Sequence, residues 1–228
     1  MFGPFTLEGT YVRLEPLSMD HVPALVDAAS EDRSAYQWTY TPEGSEQMTA
    51  YVRDALAKVA AGDHVAFATV RKGAGRSGRD VVVGCTRFCE IFVWQWPPGA
   101  THQRSGVPDV TDIGFTWLSG SAQRTPVNTE AKLLMLTHAF EVWKVHRVAL
   151  QTDVRNARSR AAIERIGGRL DGVMRADRPG ADDTVRTSAR YSILASEWPE
   201  VRSRLEGRLM AGGAADEPGS SADGVTLK

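Results

Sequence analysis

"VTDIGFTWL" (Val110–Leu118), "SAQRTPVNTEAK" (Ser121–Lys132) and "VHRVALQTD" (Val145–Asp153) decide how this chain folds. Val110–Leu118 is rich in β-branched and aromatic residues and reads as a strand. "TEAKLLMLTHAFEVW" (Thr129–Trp143) is apolar almost all round, which suits a helix buried on several sides. Val145–Asp153 alternates Val145, Arg147 and Ala149 against His146, Val148 and Leu150, and reads as a returning strand. Strand, helix, strand is a crossover unit, which makes the two strands parallel neighbours. The loop that opens the helix sits where backbone N–H groups and the helix dipole can hold an anion. Such loops favour glycine, yet Ser121–Lys132 contains none. On its own it is either a phosphate loop with an altered backbone or a plain turn.

Outward from this unit, helices and strands mix. Thr10–Ser18 reads as a strand ending in a turn, and Ser18 can cap a helix over Asp20–Ala29. Thr49–Ala60 carries an apolar stripe and ends before Gly62. His64–Arg71 and Val81–Phe92 read as strands around a glycine-rich hairpin loop, with Gly84 marking a bulge. Asn156–Gly168 reads as a short helix with Asn156 as cap and Gly167 as stop. Two closing strands follow, in "RLDGVMRAD" and "TVRTSARYSILASEW", then a terminal helix. Ala211–Lys228 is Gly/Ala/Ser/Asp-rich and is expected to be disordered, so residues 1–210 form one domain and 211–228 a tail. Trp94–Asp109 is long and holds three prolines. It reads as a substrate-side lid built on Trp94 and Trp96, with His102 as a substrate contact, or as a floppy insertion.

Composition narrows the function. The 228 residues are 42% hydrophobic with a net charge of −1, which suits one globular domain and gives no nucleic-acid-binding excess of base. Arg155, Arg158, Arg160 and Arg165 cluster locally, as a phosphate-facing patch or a solvated helix face. No apolar run approaches the roughly 18 residues of a membrane span, and no leader pattern opens the chain. Cys85 and Cys89 lie on one strand about 13 Å apart, too far for a disulfide, and read as free buried thiols of a cytoplasmic protein. The five histidines show no metal-ligand spacing.

At "DIGFTWL…SAQRTPVNTEAK…HRVALQTDVRNARSRAAIERIGG" the chain resembles the GNAT superfamily of acyl-CoA-dependent N-acetyltransferases. Within it, the chain looks most like the branch with the ribosomal-protein serine/alanine N-acetyltransferases. The resemblance covers residues 6–200 and rests on linked pieces: the "DIGF" strand, the Gln123–Asn128 loop followed by "TEA", then "HRV" and the Asn156–Ser159 helix start. It implies an α/β (α+β) domain with a mixed, mostly antiparallel central sheet of six to seven strands. Helices would cover both faces, and two central strands would splay apart in a V. It implies acetyl-CoA as co-substrate, an amine acceptor, no metal, no nucleic acid or membrane partner, and a monomer or homodimer. The backbone of Thr116, Trp117 and Leu118 would pair with the pantetheine arm. Gln123, Arg124, Thr125, Pro126, Val127, Asn128 and Thr129 would wrap the pyrophosphate, and Asn156, Ser159 and Arg160 would complete the site. The family's loop has glycine where this chain has Pro126, which lacks an N–H and fixes φ near −65°. One phosphate donor is therefore expected to be lost, with Asn128 capping the helix in compensation.

Acetyl transfer to an amine needs a neutral amine, a polarised carbonyl and a protonated leaving thiolate. The resemblance points to Asp112 as base, with Glu90 on the preceding strand as rival. Both also read as ordinary strand carboxylates. Ser159 matches the serine that lies near the CoA sulfur in this branch, and also reads as a first-turn serine supporting the cap. Tyr191 is a further acid candidate or a core residue. Glu130, early in its helix, reads as structural. Cys85 and Cys89 carry no activating pattern, so direct transfer is favoured over a covalent thiol route. A second function stays open: a GNAT-fold sensor that binds acyl-CoA without turning it over.

Overall fold

The computed structural model describes residues 2–75, 78–101, 104 and 106–213. Eight strands form one sheet in the order β1-β2-β3-β4-β5-β6-β8-β7. They are β1 (Leu7–Glu8), β2 (Val12–Pro16), β3 (Val65–Arg71), β4 (Val81–Phe92), β5 (Val110–Leu118), β6 (Arg147–Asp153), β7 (Arg169–Pro179) and β8 (Val185–Leu194). The expected six to seven strands become eight because the chain doubles back before β2 and adds the two-residue β1, with Leu7 opposite Leu14. Every neighbouring pair is antiparallel except β5 and β6, the two strands joined by the crossover.

Helices α1 (Val22–Ser30) and α2 (Gly44–Ala60) cover one face, packing Leu25, Met48, Tyr51, Val52 and Ala55 against Ala66, Ala68, Cys85 and Trp117. Helices α3 (Pro126–Thr137) and α5 (Trp198–Gly213) cover the other, with Met135, Leu136, Val201 and Leu205 over Phe67, Phe88, Val148, Tyr191 and Ile193. The short α4 (Ala157–Arg165) contributes Ile163 to the same layer. The alternation along each strand thus feeds two separate cores. The buried helix expected over 129–143 starts three residues earlier, at Pro126, and loosens into a wider π-type turn at His138–Val142. Helix α5 reaches Gly213, beyond the expected boundary at 210, while residues 214–228 lie outside the described residues.

Gly84 is a bulge, as its sequence setting predicts. The register between β3 and β4 shifts there, and a Cβ on Gly84 would lie 2.0 Å from the Trp117 carbonyl oxygen. Gly168 is closely packed against α4. A Cβ there would meet the Ile163 side chain at 2.6 Å.

Candidate active site

The parallel ladder between β5 and β6 is only three rungs long: Val110 with Arg147, Thr111 with Val148, and Asp112 with Ala149. Beyond Asp112 the strands part. β5 continues to Leu118 paired only to β4, and β6 continues to Asp153 paired only to β8. Two irregularities accompany the parting. Phe115 takes φ +53° where β5 slips against β4, and Glu90 takes φ +49° where β4 bulges opposite Val110–Asp112. Left-handed backbone at non-glycine residues is costly and tends to cluster at functional sites. The result is a V with Asp112 at its apex.

At the open end of the V, β5 runs through a short turn (Gly120–Ala122) into α3. Thr125 caps that helix, its hydroxyl accepting from the Val127 N–H at 3.4 Å. Pro126 and Asn128 are the first and third helical residues, so Asn128 is not the cap that the sequence suggests. Proline belongs at a first helical position, where an N–H has no helical partner and φ near −65° is already right. The left-handed residue of the loop is Arg124, at φ +61°. The glycine-like geometry therefore sits two residues before Pro126 and leaves its ring unstrained. The N–H groups of Thr125, Val127 and Asn128 belong to the first turn, where α3 supplies no carbonyl partner.

The mouth of the V is bridged. The Leu118 carbonyl accepts from Gln123 Nε2 and from the Tyr36 hydroxyl, both at 3.0 Å. The Gln123 Oε1 accepts from Arg158 on α4 at 3.0 Å, and Arg158 also donates to the Ala35 carbonyl. The connection between α1 and α2 thereby ties the end of β5 to the first turn of α4. Burial pushes the Tyr36 phenol up to about 12, so it stays protonated and donates. The arginine cluster is largely spoken for by the protein itself. Arg155 pairs with Asp153 and Asp182 and stacks 4.1 Å over Trp38, and Arg160 donates from Nε to Tyr191 at 2.9 Å.

The backbone predicted to meet a pantetheine arm is divided. Trp117 pairs across to Cys85 and buries its indole in the α1/α2 core. The Thr116 hydroxyl meets Thr86 at 2.7 Å and accepts from Lys132 Nζ at 2.8 Å.

Asp112 is 5% exposed, and both its oxygens accept from Arg190 Nη2 at 3.1 Å. Burial raises its carboxyl above the usual range, Arg190 opposes this, and Glu90 adds to it. Glu90 itself is exposed on the β4 bulge. Ser159 sits in the first turn of α4, and its N–H donates to the Asn156 side chain at 2.9 Å, so Asn156 is the cap that its position predicts. Tyr191 is fully buried between Arg160 and Glu164, a core residue. Both cysteines are free and buried. Burial first, then Asp112 and Glu90, push the Cys89 thiol up to about 12, and burial raises Cys85, so neither presents a thiolate near neutral pH.

Several site-building residues escaped the sequence reading: Arg190, Lys132, Tyr36 and Arg87. Two carried a usable signal. Lys132 interrupts a helix that is otherwise apolar, and Arg87 interrupts the apolar strand "VVVGCTRFCEIF". Glu130 is structural, as expected, though by a different means. It accepts three backbone N–H groups, from Thr10, Tyr11 and Val12, at 2.6–2.8 Å. The Trp94–Asp109 excursion is pinned at the closed end of the V. Trp94 stacks on His146, and Asp109 accepts from the Trp94 backbone and the Trp96 indole. These contacts anchor the two described ends of the excursion and place the tryptophans away from the mouth. His102 lies outside the described residues. Among the described residues no group of acidic, histidine and cysteine side chains is arranged to hold a metal ion, and no helix is long and apolar enough to cross a membrane.

Comparison with known proteins agrees with this geometry. Residues 12–169 match the acetyltransferase (GNAT) domain family. The chain is 32% identical over 97 residues to the "Putative ribosomal N-acetyltransferase YdaF" of Bacillus subtilis (strain 168), a match covering 42% of this chain and 52% of that protein. It thus spans about half the length of that relative. A GCN5-related N-acetyltransferase from Brucella melitensis superposes with a TM-score of 0.75 at 26% identity, over 91% of this chain and 86% of that one. Mycobacterium smegmatis RimJ, solved with a CoA-disulfide, shares the fold with a TM-score of 0.69 at 19% identity, over 91% and 96%. With the family model spanning most of the chain and the V at the centre of its sheet, this protein belongs to the GNAT acetyltransferase family.

Proposed function

We propose that the protein is an N-acetyltransferase that moves an acetyl group from acetyl-CoA to a primary amine by direct attack in a ternary complex. The observation that carries this reading is the three-rung ladder that ends at Asp112 and opens toward the capped N-terminus of α3. The residues present fit acetyl-CoA. The first turn of α3 offers N–H donors and a positive dipole end to a pyrophosphate, and the β5 edge past Asp112, unpaired toward β6, meets an extended arm once the Gln123–Arg158 bridge across the mouth gives way. When bound, acetyl-CoA supplies an activated thioester.

The chain's own groups then act on the amine. Asp112, its carboxyl raised by burial, takes a proton from the ammonium directly or through water. The neutral amine nitrogen forms a bond to the acetyl carbon as the carbon–sulfur bond breaks. Asp112 releases the first proton to solvent before attack, so its carboxylate takes the second proton from the nitrogen as the new bond forms, and the thiolate gains a proton from our candidate, the Ser159 hydroxyl, which is reprotonated from solvent. Glu90 is the rival base, less suited because it is exposed. A covalent thiol route is disfavoured by the raised cysteine thiols. The acceptor is a protein N-terminus, a lysine or a small amine. The likeness of this chain to a relative named as a putative ribosomal N-acetyltransferase favours an amine of a ribosomal protein among these.

The test is thiol release from acetyl-CoA across an amine panel, with mass detection of the product. An acceptor gaining an acetyl group supports the reading. Tight CoA binding with no release for any amine would instead favour an acyl-CoA sensor.

A further inference from the structure

Arg87 takes no part in the chemistry above, yet it is the largest fully buried side chain among the described residues. Among the described residues its Nε, Nη1 and Nη2 make no well-formed hydrogen bond, and the polar group beside them is the Tyr51 hydroxyl rather than an anion. The guanidinium is sandwiched between two rings, 4.6 Å from the Tyr51 centroid and 4.4 Å from that of Phe115. Burying a guanidinium without an anion is expensive, and cation–π contacts return only part of that cost.

Its position is as telling as its lack of an anion. Arg87 pairs across the ladder with Gly114, two residues past Asp112, where β5 has just left β6. Asp112, the nearest buried acid along β5, is already matched by Arg190. The Phe115 ring lies against the guanidinium while remaining 42% exposed, and its backbone is held in the left-handed region. Lys58 Nζ lies 5.9 Å from that ring and His64 5.5 Å from it. Burial chiefly, then Arg87 and Lys58, hold His64 down to about 4, with Asp63 and Asp54 opposing. Lys58 is answered by Asp54 at 3.1 Å, whereas Arg87 meets no carboxylate among the described residues. An amine that carries its own carboxylate would be matched.

We infer that Arg87 recognises an anionic group of the acceptor, so that the preferred acceptor is an amine bearing a carboxylate nearby, with the Phe115 ring moving aside to admit it. The inference rests on the acetyl-transfer reading above. It predicts a bidentate guanidinium–carboxylate pair beside the reacting amine.

The experiment uses acceptor pairs that differ only in carboxylate against carboxamide: free amino acids with their amides, and tripeptides with Asp or Asn, Glu or Gln, at the second position. The wild-type protein should show kcat/KM about 10-fold or more in favour of the carboxylate member. Arg87→Met should bring that ratio to about one, and Phe115→Ala, which retains the guanidinium, should preserve it. Equal rates for both members in the wild type, with robust release, would overturn the inference and leave acetyl transfer standing. A ratio that survives in folded Arg87→Met would overturn it too. If Arg87→Met does not fold, the wild-type ratio and Arg87→Lys decide. No thiol release with any amine would sink the acetyl-transfer reading and this inference with it.

Discussion

Lys132 offers a quantitative test of how the site is assembled. It is buried on α3, and its Nζ donates to the hydroxyls of Thr86 and Thr116, at 3.0 and 2.8 Å. Burial lowers its pKa from the usual 10.5 to about 7. The unfolded chain therefore binds more protons than the folded one between those two values. Stability must rise with pH across that window, and the full cost of the buried ammonium is present below about pH 7. Lys132→Met removes this linkage and leaves Thr86 and Thr116 bonded to each other at 2.7 Å. From the two pKa values, the wild-type protein should gain about 2 kcal/mol relative to the variant between about pH 7 and about pH 9. Urea unfolding of both proteins across that range measures it, and the thiols stay protonated there because burial raises both. The variant should be relatively most stable at neutral pH and lose that advantage as pH rises. Parallel stability curves would refute the buried-ammonium account and mean that water reaches Nζ.

Other perturbations follow from the same geometry. Glu130→Ala strands three backbone N–H groups of the Thr10–Val12 turn and should cost roughly 3 kcal/mol in chemical unfolding. Gly9→Ala should destabilise by the same route, since a Cβ there would sit 2.4 Å from the Glu130 carboxyl carbon. Pro126→Ala restores an N–H at the first position of α3 and should tighten CoA binding roughly 10-fold by calorimetry. Pro126→Gly should tighten it less, because glycine loosens the first turn, and unchanged affinity for the alanine variant would show that this position does not face the phosphates. Asp112→Asn should lower kcat mainly at low pH, where the amine cannot shed its proton unaided. A pH–rate profile like that of the wild type would remove Asp112 as the base.

The loop Gln123–Asn128 shows where sequence reading stops. Its placement between β5 and α3 was legible, because hydrophobic patterning marks both neighbours. Which residue bends was not. Pro126 draws attention as an obstacle, but the left-handed turn falls on Arg124 and the cap on Thr125. Backbone dihedrals in a short turn depend on how its two ends are held, and only the packed elements hold them. The same limit applies to Asp112. Its strand and apex position follow from the crossover, while its partner Arg190 lies 78 residues further on, on β8.

By itself the sequence determined the strand and helix elements apart from the two-residue β1, the parallel pair imposed by the crossover, the bulge at Gly84 and the free cysteines. Each follows from local periodicity, a missing side chain or strand geometry. The tertiary structure decided where the parallel ladder ends, which charges meet and which do not. Arg190 reaches Asp112, Glu130 holds a distant turn, and Arg87 is left between two rings without an anion. Side-chain charges act through space over a few ångströms, and residues far apart in the chain come within that range only when the sheet and its two helical layers are assembled.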